Sequence, residues 1–248
     1  MRLKMGLNLT LKYSLNFSPF KRDKSKIKFI IIHYTGMKKE LHAIKKLCDP
    51  KSKVSSHYYI KTNGEILNLV PDRYEAWHAG KSRWKNFSSL NKYSLGIEIS
   101  NPGHQYGYRK FSLKQINSVK KLLKYLMKKY KINYQNVLGH SDISPDRKKD
   151  PGEKFPWNVL SKYKLSWGHK LDQDYLKQFR GKILSSKKAK NQFIKNLKKI
   201  GYNQKNKHNS KLQIKFLVIA FQRRFRQSLI NGKIDEECLK ISKSLLNS

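Results

Sequence analysis

The chain is poor in cysteine, in long apolar runs and in acidic side chains, and each shortage narrows what it can be. Two cysteines among 248 residues, Cys48 and Cys238, allow at most one disulfide, and two unconnected thiols are the simpler expectation. No stretch approaches the roughly 18–20 consecutive apolar residues that a membrane span needs, so no transmembrane segment is expected. Residues 1–25 contain basic side chains but neither a continuous apolar core nor a small-residue cleavage site, which argues against a secretory signal. An internal protein, a leader outside this sequence and another export route are then the alternatives. Acidic residues number 16 against 55 lysines and arginines, a net charge of +39.

That positive excess runs along the whole chain and is mostly lysine, with many asparagines and isoleucines beside it. The pattern is one of compositional drift, whereas a nucleic-acid footprint concentrates charge and favours arginine. No helix-turn-helix, finger or aromatic ribonucleoprotein signature accompanies it, so no specific nucleic-acid partner is expected. The surface is still drawn to polyanions, an acidic cell wall among them. With 38% hydrophobic residues, a chain of this length can bury a substantial core in one or two domains.

Hydropathy and turn residues organise what is present. Residues 28–34 are an apolar run ending in a histidine and read as a buried strand. Residues 40–48 have helical spacing, and 56–70 read as two strands joined by Asn63-Gly64, a strong hairpin signal. Over 93–100 the pattern alternates, with Gly96, Glu98 and Ser100 on one face and Leu95, Ile97 and Ile99 on the other. Residues 112–130 read as a helix, capped by Ser112, with Leu113, Ile116, Val119, Leu123, Leu126 and Tyr130 as its apolar stripe. A short strand follows at 136–142. After a connector at 158–174 the texture is helical only, over 189–202, 211–227 and 235–246.

Three candidate metal ligands stand out: His33 and His140 at the ends of strands, and Asp150, which follows in "RKKDPG". Two imidazoles and a carboxylate leave a tetrahedral zinc one open position, the arrangement of a catalytic site. Spacing alone leaves a second reading open, since a histidine at a strand end is often structural. Glu98 lies between two isoleucines in an apolar strand, and burying a carboxylate is costly unless it is paired or used. An ion pair with a lysine and a general base are both open for it. Lys148, two residues before Asp150, is either a solvated lysine or a cation beside a developing oxyanion.

The segments "FIIIHYT" (29–35), "SSHYYIKTNGEI" (55–66), "AWHAGKSRW" (76–84), "LNKYSLGIEISNPG" (90–103) and "GHSDISPDRKKDPGEKFPW" (139–157) resemble, in order, the type-2 N-acetylmuramoyl-L-alanine amidases. This is the AmpD/AmiD branch, related to peptidoglycan recognition proteins. The resemblance covers about residues 28–157, and its last segment is the most specific. It implies one zinc ion per chain on His33, His140 and Asp150, with Glu98 as the catalytic glutamate and Lys148 as the catalytic lysine. One departure is that distant relatives carry a catalytic tyrosine where this chain has Ser56, which leaves the proton traffic to Glu98. His57 is expected to be packed rather than a ligand. Trp77, His78, Trp84, Asn101 and Arg147 are candidates for the groove that receives sugar and stem peptide, ordinary core or surface roles being the alternative for each. The helical tail is similar to small three-helix peptidoglycan-binding domains, with a generic helical cap as the alternative.

The expectation is an α/β fold with a mixed central β-sheet flanked by helices, followed by a small three-helix domain. Its boundaries are an N-terminal extension at 1–25, a zinc amidase domain at 26–165, a linker at 166–174 and a helical peptidoglycan-binding-like domain at 175–248. The expected activity is hydrolysis of the amide between the muramoyl lactyl group and L-alanine, in peptidoglycan or muropeptides, by a monomer. A non-catalytic recognition protein is the alternative. A wall-binding tail argues for periplasm or envelope, and the missing signal for cytoplasm.

Overall fold

Strands β1 (Thr10–Leu11), β2 (Phe29–Tyr34), β3 (Tyr58–Ile60), β4 (Ile66–Asn68), β5 (Ser94–Ile99) and β6 (Val137–Gly139) form one sheet, ordered β6-β2-β5-β3-β4-β1. The computed structural model describes residues 2–3, 7–202 and 211–247. Strands β6, β2, β5 and β3 are mutually parallel, while β4 returns antiparallel to β3 and β1 lies parallel to β4. The β3–β4 turn has the expected chemistry. Asn63 Oδ1 accepts the Glu65 amide at 2.9 Å, and Gly64 takes φ +88°, where a Cβ would also meet the Lys114 carbonyl.

Helix α1 spans Glu40–Cys48 and α2 spans Leu113–Tyr130. Ser112 and Gln115 close a reciprocal capping box at the start of α2. Its buried stripe includes Leu122 but not Leu113, which is 83% exposed. The reason is that Ser112 Oγ donates to the Thr62 carbonyl, so the first turn sits over the hairpin turn and not over the sheet. Alternation then splits β2 between two cores: Ile30 and Ile32 pack with α2, while Phe29 and Ile31 face the other way.

That other face is covered by the C-terminal helices α6 (Lys187–Ile200), α7 (Lys211–Phe225) and α8 (Glu236–Leu246). Phe29, Ile31, Trp84 and Leu138 share one apolar cluster with Phe193, Leu197, Phe221 and Leu245. Between α2 and these helices lie α3 (His140–Ile143), α4 (Trp157–Lys162) and α5 (Gln173–Lys177). The segment read as a connector is thus a packed seam, because its Leu160, Leu165 and Trp167 are apolar and buried. The N-terminal extension is likewise woven in, with Leu7 and Leu9 in the α2-side core and Thr10–Leu11 paired to β4. Its residues 1 and 4–6 lie outside the described residues. Cys48 and Cys238 are free thiols, and no described helix is long and apolar enough to cross a membrane.

Candidate metal centre and groove

Because β2, β5 and β6 run parallel, their C-terminal ends meet at one edge of the sheet, where open α/β sheets hold their ligands. The register sets His33 level with Glu98 and Ile32 level with Gly139, so His140, the next residue, comes beside His33. Gly139 N donates to Asp142 Oδ2 at 2.7 Å and tightens the α3 turn. Ser141 N donates to the Asp150 carbonyl at 2.9 Å, which folds the 144–150 loop back over that turn.

The three donors converge as a result. His33 Nδ1 and His140 Nδ1 lie 2.9 Å apart, and each is 3.0 Å from Asp150 Oδ2. All three residues are buried. Burial pushes His33 down to about 4, with His140 adding to the shift and Asp150 opposing it. For Asp150, burial works upward, but His140 and His33 outweigh it and hold the carboxyl well below its usual range. A neutral His33 imidazole, a second imidazole and a carboxylate, gathered within 4.8 Å, are the donor set of a divalent metal with one or more open positions. The outer nitrogens are engaged as well: His33 Nε2 lies 3.0 Å from His78 Nδ1, and His140 Nε2 donates to the Ala79 carbonyl at 3.2 Å.

Glu98 stands beside this cluster with its Oε2 shielded from solvent and without a hydrogen-bond partner. Burial raises its pKa to about 8, the negative charge of Asp150 adds to the rise, and Lys148 opposes it. No ion pair with a lysine forms at Glu98 among the described residues. A carboxyl raised in this way beside a metal-ligand cluster is poised to exchange protons near neutral pH.

Glu98, Lys148 and the three donors line a cavity of about 430 Å³. Trp77, His78 and Arg147 reach it too. The Arg147 guanidinium is largely spent on the backbone, since Nη2 donates to the Ala79 and Lys81 carbonyls at 2.5 and 2.8 Å. Two expected groove residues are elsewhere. Trp84 is buried against Tyr202, ring centroids 4.9 Å apart, in the core shared with the helices. Asn101 spends its amide on its own loop: Oδ1 accepts the Gly103 amide and Nδ2 donates to the Arg109 carbonyl. His57 is fully buried, with Nδ1 accepting the Gly96 amide, and Ser56 turns its hydroxyl to the Tyr58 carbonyl.

Sequence reasoning missed a further part of the cavity lining. Tyr34 OH lies 2.8 Å from His104 Nδ1, and the His104 ring stacks on Tyr108 with its Nε2 3.2 Å from Glu153. Tyr34 and His104 both line the cavity, with Gln105. The available signal was the aromatic loop 104–108, which follows Gly103 and contains Gly107, both at positive φ.

Residues 23–153 match a family model described as N-acetylmuramoyl-L-alanine amidase. The chain is 33% identical over 234 residues to the N-acetylmuramoyl-L-alanine amidase AmiD of Escherichia coli strain K12, covering 89% of this chain and 83% of that protein. Its structure resembles AmiD in complex with anhydro-N-acetylmuramic acid-L-Ala-D-γ-Glu-L-Lys, with a TM-score of 0.79 and 31% identity over 93% of this chain and 91% of that one. AmpDh3 from Pseudomonas aeruginosa, bound to an anhydromuramic pentapeptide, gives a TM-score of 0.78 at 27% identity over 93% and 94% of the two chains.

Proposed function

The chain belongs to the N-acetylmuramoyl-L-alanine amidase family, and from that premise we propose that one zinc ion on His33, His140 and Asp150, served by Glu98 and Lys148, carries its hydrolysis of the muramoyl–L-alanine amide. The observation behind this reading is the convergence of three buried donors beside a carboxylate oxygen that nothing else satisfies. A zinc ion held there supplies Lewis acidity, polarising the scissile carbonyl and making water a nucleophile near neutral pH.

The protein's own groups do the rest. Glu98 takes the proton from the attacking water as the carbonyl carbon becomes tetrahedral. The same carboxyl then hands that proton to the L-alanine nitrogen as the C–N bond breaks, so proton and leaving group balance. Lys148 sets an ammonium on the cavity wall beside the oxygen that gains negative charge. Trp77, Tyr34 and His104, which all line the cavity, offer faces and donors to the sugar and stem peptide. AmiD and AmpDh3 are complexed with anhydromuramyl peptides, and a soluble muropeptide of that class is the substrate to test first here.

Chelation tests the metal. Treatment with a strong chelator should abolish turnover of a muropeptide while the far-ultraviolet circular dichroism stays unchanged, because the sheet core does not depend on the ligands. Added zinc should restore activity. Full turnover in excess chelator by protein free of metal would remove the proposal.

A further inference from the structure

His33 can offer Nδ1 to a metal only if its ring proton sits on Nε2, and a directed run of hydrogen bonds beneath the site decides this. Ser94 Oγ donates to the Leu90 carbonyl at 2.6 Å. A hydroxyl has one proton, so toward His78 Nε2, 3.3 Å away, Ser94 can only accept. His78 therefore carries a proton on Nε2. A second proton on that ring would make a buried cation, and no carboxylate touches it among the described residues, which is a costly state. The ring is then neutral and its Nδ1 is a bare acceptor. His33 Nε2, 3.0 Å from that Nδ1, must supply the proton between them. A neutral imidazole has only one, so His33 Nδ1 is left as a lone pair facing His140 Nδ1 and Asp150 Oδ2.

We propose that His78 is a positioning residue of the metal centre, which with Ser94 locks His33 in the tautomer that presents Nδ1 to the ion. The proposal rests on the zinc reading above and adds a residue to it. His78 was a candidate for touching substrate, but both its ring nitrogens are already engaged. The surroundings fix the ring as firmly as its bonds do. Asn91 Oδ1 accepts the amides of His78 and Ala79 at 3.1 and 2.7 Å. Gly96 lies against the ring, where an added Cβ would come within 2.5 Å of His78 Cγ. The neighbouring carbonyl of Ala79 does for His140 what His78 does for His33, so two consecutive residues orient both histidines. Metal-bound histidines commonly use a carboxylate or carbonyl as this outer partner; here one of the two is a neutral imidazole.

Two measurements on the full chain test this. Nitrogen-15 spectra of the histidine rings in metal-free protein should place the proton of both His33 and His78 on Nε2; a proton on His33 Nδ1 overturns the proposal. Zinc affinity by chelator competition should fall roughly 10–100-fold in His78→Leu, the usual cost of losing an outer-shell partner. In His78→Asn, whose Oδ1 replaces the accepting Nδ1, it should stay within a few-fold of the parent. Parental affinity in His78→Leu, or an equal loss in both variants with the fold intact by circular dichroism, also overturns it. If the parent takes up no zinc the metal reading fails, and the tautomer assignment is judged by the spectra alone.

Discussion

Glu98→Gln keeps the shape of the side chain and removes its ability to carry a proton. General acid–base groups typically contribute about 10²–10⁴-fold in rate, so turnover should fall by that factor with zinc content unchanged. His33→Ala or Asp150→Ala should instead lose the metal. Near-normal turnover in Glu98→Gln, measured on a soluble muropeptide with zinc quantified in the same sample, would show that the proton takes another route. At this scale the sequence was informative where chemistry and position coincide. A lone acid in the apolar strand 93–100 had to be paired or used, and the structure leaves it unpaired. Trp84 and Asn101 were not legible, because a tryptophan or an asparagine does not announce which way it faces. Trp84 is turned inward by Gly201 and Tyr202, more than a hundred residues later, with the glycine flush against the indole.

Among the elements, the site depends on three parallel strands ending level, and on α2 staying clamped across the back of the sheet. The clamp closes on Asp72, just beyond β4. Tyr58 OH of β3 donates to its Oδ1 at 2.5 Å, while Lys129 and Tyr130 at the end of α2 both reach Oδ2 at 2.7 Å. Burial pushes the Asp72 pKa upward, but Lys129 and the donated hydrogen bonds prevail and hold it below the ordinary 3.8. A depressed folded-state pKa contributes stability that is present above the unfolded value and lost as pH falls through the folded one. Asp72→Asn should therefore cost about 1–3 kcal/mol near neutrality, the range for disturbing a buried, charge-assisted cluster. The gap should shrink progressively below about pH 4. Urea denaturation across that range checks it, and a gap constant into strong acid would deny the charge any role. The strand and helix positions were readable from hydrophobic period and caps. The register that aligns His33 with Glu98 was not, since pairing between distant strands leaves no local mark; only the family resemblance pointed to it.

For the whole molecule, the decisive feature is that the C-terminal helices and the sheet share a core. The sequence suggested a separable module, because every candidate ligand precedes residue 158 and the tail is purely helical. The tail is nevertheless in intimate contact with the metal side of the sheet. Arg224 of α7 pairs with the buried Asp142 at 3.1 Å, and Tyr202 OH donates to the same carboxylate at 2.7 Å. Asp142 lies two residues beyond His140, in the same short turn. Removing residues 175–248 would strip this carboxylate of both its side-chain partners, leaving only the Gly139 amide, and uncover Phe29, Ile31, Trp84 and Leu138. Each such side chain gains about 1.5–3 kcal/mol from burial, so the four together approach the 5–15 kcal/mol that stabilises a whole domain. The truncated chain should thus lose activity on soluble muropeptides as well as on insoluble wall, with lower zinc affinity and a lower melting temperature. A tail that served only to tether the enzyme would raise local substrate concentration and leave soluble turnover intact. The intact protein can still use the tail for wall contact, since Lys187, Lys188, Lys195, Lys198 and Lys199 are exposed on α6. Attraction of that kind should fade as the Debye length falls from about 10 Å at 0.1 M salt to about 3 Å at 1 M. The comparison is made on soluble and insoluble substrates, at both salt concentrations, with full-length and truncated chains. A truncated chain that melts like the parent and turns over soluble muropeptide at the parental rate would mean the shared core is dispensable and the tail a tether after all.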